Sequence, residues 1–214
     1  MEEQIINMPA VALRGLTILP GMIAHFDVSR ERSLRAIEEA MEQDQKIYLV
    51  TQKNVDREDP TQEDLYQMGI VADIKQVVRL QNDVVRILVD GISRAKLLGF
   101  TGCEKYLEAE ICYFDSNKDS LPEDLREAML LGVREAFHRY AAVIGKISKE
   151  LIRQIDQYED LEKLIDYVTN NLPVSYELKQ QVLEAEDIND RYQVIVSLLL
   201  SQVEVISIKN ELQK

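Results

Sequence analysis

The hydrophobic period changes once along these 214 residues, across the wholly polar stretch Asp115-Ser116-Asn117-Lys118-Asp119-Ser120, and this restricts the chain to folds built from two unlike parts. Before it, short β-branched runs alternate with turn signals. After it, apolar residues recur at the three- and four-residue spacing of helices. The expected organisation is a β-rich domain over residues 1–115, a linker over 116–120, and an α-helical bundle over 121–214. The length suffices for two small cores.

In the first part, runs at 11–19 and 23–28 flank the turn dipeptide Pro20-Gly21, and 46–51 is a compact run of the same kind. Runs at 70–80 and 84–89 flank Gln81-Asn82-Asp83, a polar turn of hairpin size. Runs at 92–100 and 106–114 flank Thr101-Gly102 and suggest another hairpin. One helix interrupts the pattern: Leu34, Ile37, Ala40 and Met41 share a face, with Ser29 or Ser33 placed to cap its start. Six or more mostly antiparallel strands with one helix predict an α+β unit, the helix closing one mouth of a curled sheet or small barrel. The polar run at 55–64 reads as a surface loop.

In the second part, Ser120 is placed to cap a helix that has Pro122, Glu123 and Asp124 in its first turn. Leu125, Met129, Val133, Phe137, Tyr140 and Ile144 then fall on one face. A second helix begins near Ser148. A third carries Leu161, Leu164, Ile165, Val168 and Leu172 and is stopped by Pro173. A fourth covers about 175–185. In the last, which starts near Asp187, Tyr192, Val196, Leu199, Val203 and Ile206 alternate by four and three residues, the spacing of a coiled-coil seam. This seam is a candidate for self-association, with packing on its own bundle as the alternative. No glycine, asparagine or proline ends the helix after Asn210, so it is expected to continue in the natural protein.

The formal charge is −13 and evenly spread, with 13 basic and 20 acidic residues over 1–115 and 12 and 18 over 116–214. Such a field repels phosphate backbones, so no nucleic-acid partner is expected. Arg30, Arg32 and Arg35 come nearest to a basic run, but acidic residues interrupt them and they read as a solvated helix face. Cys103 and Cys112 make neither a disulfide framework nor a zinc site, and His25 and His138 lie far apart; all four are expected bystanders. No run approaches 18 consecutive apolar residues and no signal peptide opens the chain, so a cytoplasmic protein without a membrane partner is expected.

No catalytic, cofactor-binding or metal-binding residues are predicted. Gly145-Lys146 is followed by Ile147 and lacks the upstream glycine of a phosphate loop. Ser148 and Lys149 are adjacent on a predicted helix, where neighbours point about 100° apart and form no dyad. A binding or scaffolding module remains.

Several segments carry a family resemblance. Ala12-Leu13-Arg14-Gly15-Leu16-Thr17-Ile18-Leu19-Pro20-Gly21-Met22, then Phe26-Asp27-Val28 and Arg30, is similar to the opening of Lon-type ATP-dependent proteases. So are Asp64-Leu65-Tyr66-Gln67-Met68-Gly69-Ile70-Val71-Ala72 and Val85-Arg86-Ile87-Leu88-Val89-Asp90-Gly91. In the second part Leu172-Pro173, Glu177-Leu178-Lys179-Gln180, Leu183-Glu184 and Arg191-Tyr192 resemble the same family. Ser29 stands where a glycine is usual, and Gln81-Asn82-Asp83-Val84 replaces the common proline-and-glycine turn.

The resemblance implies a PUA-like β domain and a helical bundle, which in the parent enzyme precede an AAA+ module and a Ser-Lys protease domain in a cytosolic homohexamer. ATP and magnesium would belong to the AAA+ module, with no cofactor in this region. The implied role is selecting and holding unfolded or damaged polypeptides and supporting assembly. Leu19, Pro20, Met22 and Ile23 are the candidate substrate contacts, because large apolar side chains sit there at a turn and methionine suits adaptable contact. Folding of these residues onto the barrel core is the alternative. A structural spacer or oligomerisation module is the second reading, and RNA binding through a PUA-like barrel the third.

Overall fold

The computed structural model describes residues 4–114 and 121–214. Contacts within the chain divide it into Met1–Asp115 and Ser116–Lys214. The expected linker at 116–120 and the expected Ser120 cap lie outside the described residues.

The first unit is a six-stranded mixed sheet: β1 (Ile5–Leu13), β2 (Ile23–Val28), β3 (Lys46–Thr51), β4 (Met68–Arg79), β5 (Val85–Phe100) and β6 (Glu108–Tyr113), with α1 (Glu31–Glu42) between β2 and β3. The strand order is β2-β5-β4-β3-β1-β6, and a further pairing of β5 with β6 closes the sheet on itself. β5 reaches both partners because it is 16 residues long: Val85 to Asp90 pair with β2, and Ala95 to Phe100 with β6. Register shifts against β4 and against β6 bend it around the barrel. Asp90-Gly91, which separates two apolar runs in the sequence, lies inside this one strand. β1 and β3 run parallel, joined through β2 and α1, and the other pairings are antiparallel.

Both faces of the central strands are covered, which is why their sequences are continuous apolar runs. Val11 and Leu13 of β1, with Ile47 and Leu49 of β3, join one core with Ile37 and Ala40 of α1. Met8, Ala10 and Ala12, with Tyr48 and Val50, join a second core with Ala95, Leu97, Ala109 and Ile111. β1 starts earlier than expected and stops at Leu13; residues 14–19 form no strand. The residue capping α1 is Arg30, without a side-chain hydrogen bond, instead of Ser29 or Ser33.

The second unit contains α2 (Glu123–Ile144), α3 (Lys149–Gln157), α4 (Leu161–Asn170), α5 (Tyr176–Glu184) and α6 (Ile188–Leu212). Ser148 Oγ accepts from Leu151 N at the start of α3, and Asp187 Oδ1 accepts from Asp190 N at the start of α6, so each helix has the cap its sequence announces. Met129, Val133, Phe137 and Tyr140 of α2 are buried; Leu125 is 42% exposed, one turn beyond the end of that stripe. The middle of the bundle holds one ion pair. Arg191 Nη2 donates to Asp166 Oδ1 at 2.5 Å and Arg191 Nε donates to Val182 O at 3.2 Å, tying α4, the end of α5 and α6 together.

By length and composition alone, α6 reaches the apolarity of a membrane-crossing helix, with an 18-residue window of mean hydropathy 1.3. Counting consecutive apolar residues overlooked it, because serine, glutamine and glutamate interrupt the run. Its first half is committed to the bundle through Ile188, the paired Arg191, Ile195, Leu198 and Leu199.

Candidate functional surface

The segment leaving β1 is fixed by backbone. Gln52 N donates to Leu13 O at 2.8 Å, and Thr51 Oγ1 donates to Leu16 O at 2.8 Å. The chain then crosses β5 at Gly91, where Gly21 N donates to Gly91 O at 2.8 Å and Gly91 N to Met22 O at 2.9 Å. A Cβ on Gly91 would lie 2.5 Å from Leu19 O, so the close crossing needs glycine there.

This crossing corrects one candidate contact. Leu19 is fully buried in the barrel and offers nothing to a partner. Pro20 is half-buried, and Met22 is half-buried against the first core. Ile23 opens β2 with its side chain 68% exposed, and it is the residue of the four that faces solvent. Beside it, β2 pairs on one side only, with β5, among the described residues.

The candidate seam is corrected in the same way. Leu199 is fully buried in its own bundle. Tyr192 lies against Gly132 of α2, where a Cβ would meet its hydroxyl at 2.2 Å. Val196, Val203 and Ile206 are half-buried. Intramolecular packing therefore uses much of this stripe, and the apolar residues that α6 turns outward are Leu200, Val205, Ile208 and Leu212.

Two hollows flank α1. One, about 460 Å³, lies between the helix and the tip of the β4–β5 hairpin, with Leu34, Ile37, Val77, Leu80, Val84 and Val85 in its wall. The other, about 210 Å³, is bounded by the end of β1, the end of β2 and the start of α1, and contains Arg14, Arg30 and Ser33. It adjoins a wider hollow of about 600 Å³ that shares those three residues and adds Glu58, Asp59 and Pro60.

Arg32 and Arg35 are exposed, as their spacing implied, yet the arginines near α1 also reach distant carbonyls. Arg30 donates to Ala12 O at 2.7 Å and to Glu58 O at 3.1 Å, bridging β1 to the 55–64 loop. Arg32 donates to Cys103 O at 2.9 Å and Tyr106 O at 3.2 Å. These partners come from distant segments, which helical spacing does not reveal. Among the described residues no group of three or more His, Cys, Asp or Glu is arranged to hold a metal ion.

A closed mixed barrel joined in sequence to a five-helix bundle is the fold of Lon amino-terminal domains. The N terminal domain of the Mycobacterium avium complex Lon protease matches with a TM-score of 0.74 at 19% identity, covering 91% of this chain and 98% of that one. The Lon N-terminal domain protein from Xanthomonas campestris gives 0.60 at 14% identity, covering 90% and 98%. The chain belongs to the ATP-dependent protease La (LON) substrate-binding domain family, whose model matches residues 7–201.

Among similar proteins, the Lon protease of Lachnoclostridium phytofermentans is 37% identical over 213 residues, and that of Clostridioides difficile 34% over 209. Lon protease 1 of Bacillus subtilis is 30% identical over 213 residues. These alignments take in 100%, 96% and 99% of this chain but only 26%, 27% and 27% of the relatives, so the chain spans about a quarter of their length.

Proposed function

We propose that this chain selects and holds unfolded or damaged polypeptides for an ATP-dependent protease of the bacterial cytoplasm. Membership of the LON substrate-binding domain family carries this reading. Ile23 supports a location for it, as an exposed apolar side chain beside the half-buried Pro20 and Met22 and on a strand paired on one side. In this reading ATP, magnesium and peptide cleavage belong to parts of the protease outside these residues. The net charge of −13 argues against nucleic acid as the partner.

The test is a titration of the 214-residue chain with a permanently unfolded protein and with the native form of that protein. Binding of the unfolded form alone is expected. Ile23→Asp should weaken it about tenfold, as loss of one buried isoleucine contact implies, with the melting temperature unchanged. Absence of binding by the unmodified chain overturns the reading.

An assembly role, with homohexamer formation in the complete protease, has one observation behind it: Leu200, Val205, Ile208 and Leu212 leave an apolar flank on α6. Sedimentation over a concentration series reads it out, and monomer throughout counts against self-association by these residues.

A further inference from the structure

The 210 Å³ hollow at the start of α1 has a composition that apolar substrate binding does not use. Three independent features converge on it. Arg14 is exposed at its wall and has no hydrogen-bond or ion-pair partner among the described residues. Arg30 faces the same space, and both its acceptors are neutral carbonyls, which hold the guanidinium in place without cancelling its charge. Burial, and then the neighbouring Arg14, pull the Arg30 pKa below its ordinary value, and Asp59 offsets part of that.

The second feature is Ser33. It is 4% exposed, lines both the small and the wide hollow, and its hydroxyl has no hydrogen-bond partner among the described residues. A hydroxyl that opens onto a hollow without a protein partner can donate to a group supplied from outside. The third is the helix itself. α1 is 12 residues long, its first N–H groups have no intrahelical acceptor, and no side chain caps it. The positive end of its dipole therefore points at the two arginines.

The acidic residues nearby do not satisfy these donors. Asp27 is held by Arg86 Nε at 2.8 Å and Nη2 at 3.1 Å. Glu31 lines the wide hollow and is paired with Arg35. Glu58 contributes its backbone carbonyl to Arg30. The Glu58 and Asp59 carboxylates, in the wall of the wide hollow, are the remaining counter-charges.

We propose that this hollow is a carboxylate subsite for the bound polypeptide, in which Arg14, Ser33 and the first N–H groups of α1 receive the carboxylate and Arg30 holds the walls together. The proposal rests on the polypeptide-binding reading above and adds a chemical requirement to it. Because the chain carries −13 overall, an acidic segment is repelled by the mean field. The subsite therefore fixes where a carboxylate sits more than it raises total affinity. A chain-terminal α-carboxylate and an Asp or Glu side chain share this chemistry.

Three fluorescent ten-residue peptides of Ala, Ser and Leu separate those sources. One ends in a free carboxylate, one in an amide, and one in an amide with a single internal Glu. Anisotropy on the full chain should favour the free acid, the Glu peptide or both over the plain amide by about fivefold to tenfold, the scale of charge-assisted hydrogen bonds at a partly exposed site. Preference for the free acid assigns the subsite to chain ends, and preference for the Glu peptide assigns it to side chains. Arg14→Gln should abolish the preference while leaving the fold intact, because Arg14 is exposed. Ser33→Ala should reduce it, and Arg35→Gln, which removes an equal charge already paired on the same helix, should leave it unchanged.

Equal binding of all three peptides overturns the proposal, as does a preference that survives Arg14→Gln. If the unfolded protein still binds in those cases, the polypeptide-binding reading stands without the subsite. If neither the unfolded protein nor any peptide binds, both fall.

Discussion

Strand β3 buries five of its six residues, whereas α6, with 25 residues, turns five inward. The first is sandwiched between two cores of the barrel and has almost no free side. The second is an anchored rod whose first half belongs to the bundle and whose second half carries exposed apolar residues. Stability in the barrel is therefore spread over many shape-dependent contacts. In the bundle, α6 combines apolar packing on α2 with one buried charged contact, where Arg191 meets Asp166.

That contrast predicts unequal responses to substitution. Arg191→Ala removes the charged partner of a buried carboxylate and should cost about 3–5 kcal/mol in denaturant unfolding followed by helical circular dichroism. A loss below about 1 kcal/mol would show that the ion pair does not anchor α6. In the barrel, Gly91→Ala would put a Cβ 2.5 Å from the Leu19 carbonyl, a backbone atom that yields only if the crossing shifts. A destabilisation of about 1–3 kcal/mol is expected, and a neutral result would mean that the crossing slides freely.

The smallest effect is a titration. Tyr106 donates to Glu108 Oε2 at 2.9 Å, and burial, followed by that hydrogen bond, pushes its pKa up to about 12. A raised phenol pKa means the folded state holds the proton more tightly than the unfolded chain. The resulting stabilisation is complete below about pH 10 and is lost as the pH rises through 12. Near-ultraviolet absorbance should show one tyrosine ionising near pH 12 that is missing in Tyr106→Phe. Its presence in the variant would mean another tyrosine titrates there.

The sequence was readable where structure depends on near neighbours. The hairpin turn after β4 and the helix starts at Ser148 and Asp187 each state their meaning within a few residues. It was unreadable where a position is settled by a distant segment. Pro9 sits inside β1, opposite Glu108, so the strand began before the run that marked it. Gly91 looked like a break in a strand because the register shift that lets β5 bend past it involves β4, a distant partner. Leu19 looked available because nothing near it in sequence says that Gly91 draws it inward.

The candidate surface follows the same division. Met22 and Ile23 were visible as large apolar residues at a turn, and Ile23 is indeed exposed. The arginine pair was not visible, since Arg14 and Arg30 are separated by a whole strand and meet only when β1 and α1 come together. Ser33 looked like a helix cap because serine so often is one, and its burial within the first turn depends on the barrel beneath it.

The pairing of Ile5 with Cys112 has a consequence for how the protein is made. The first strand of this unit borders its last, so the barrel cannot close until almost all of the unit has been translated. At cellular rates this is a wait on the order of ten seconds, during which Met8, Val11 and Leu13 have no permanent neighbours. The helical unit meets a shorter form of the same constraint, because α2 waits for α6, 67 residues on at the hydrogen bond from Asn210 to Val143. A newly synthesised domain of this kind is thus, for its first seconds, itself an unfolded polypeptide with exposed apolar strands.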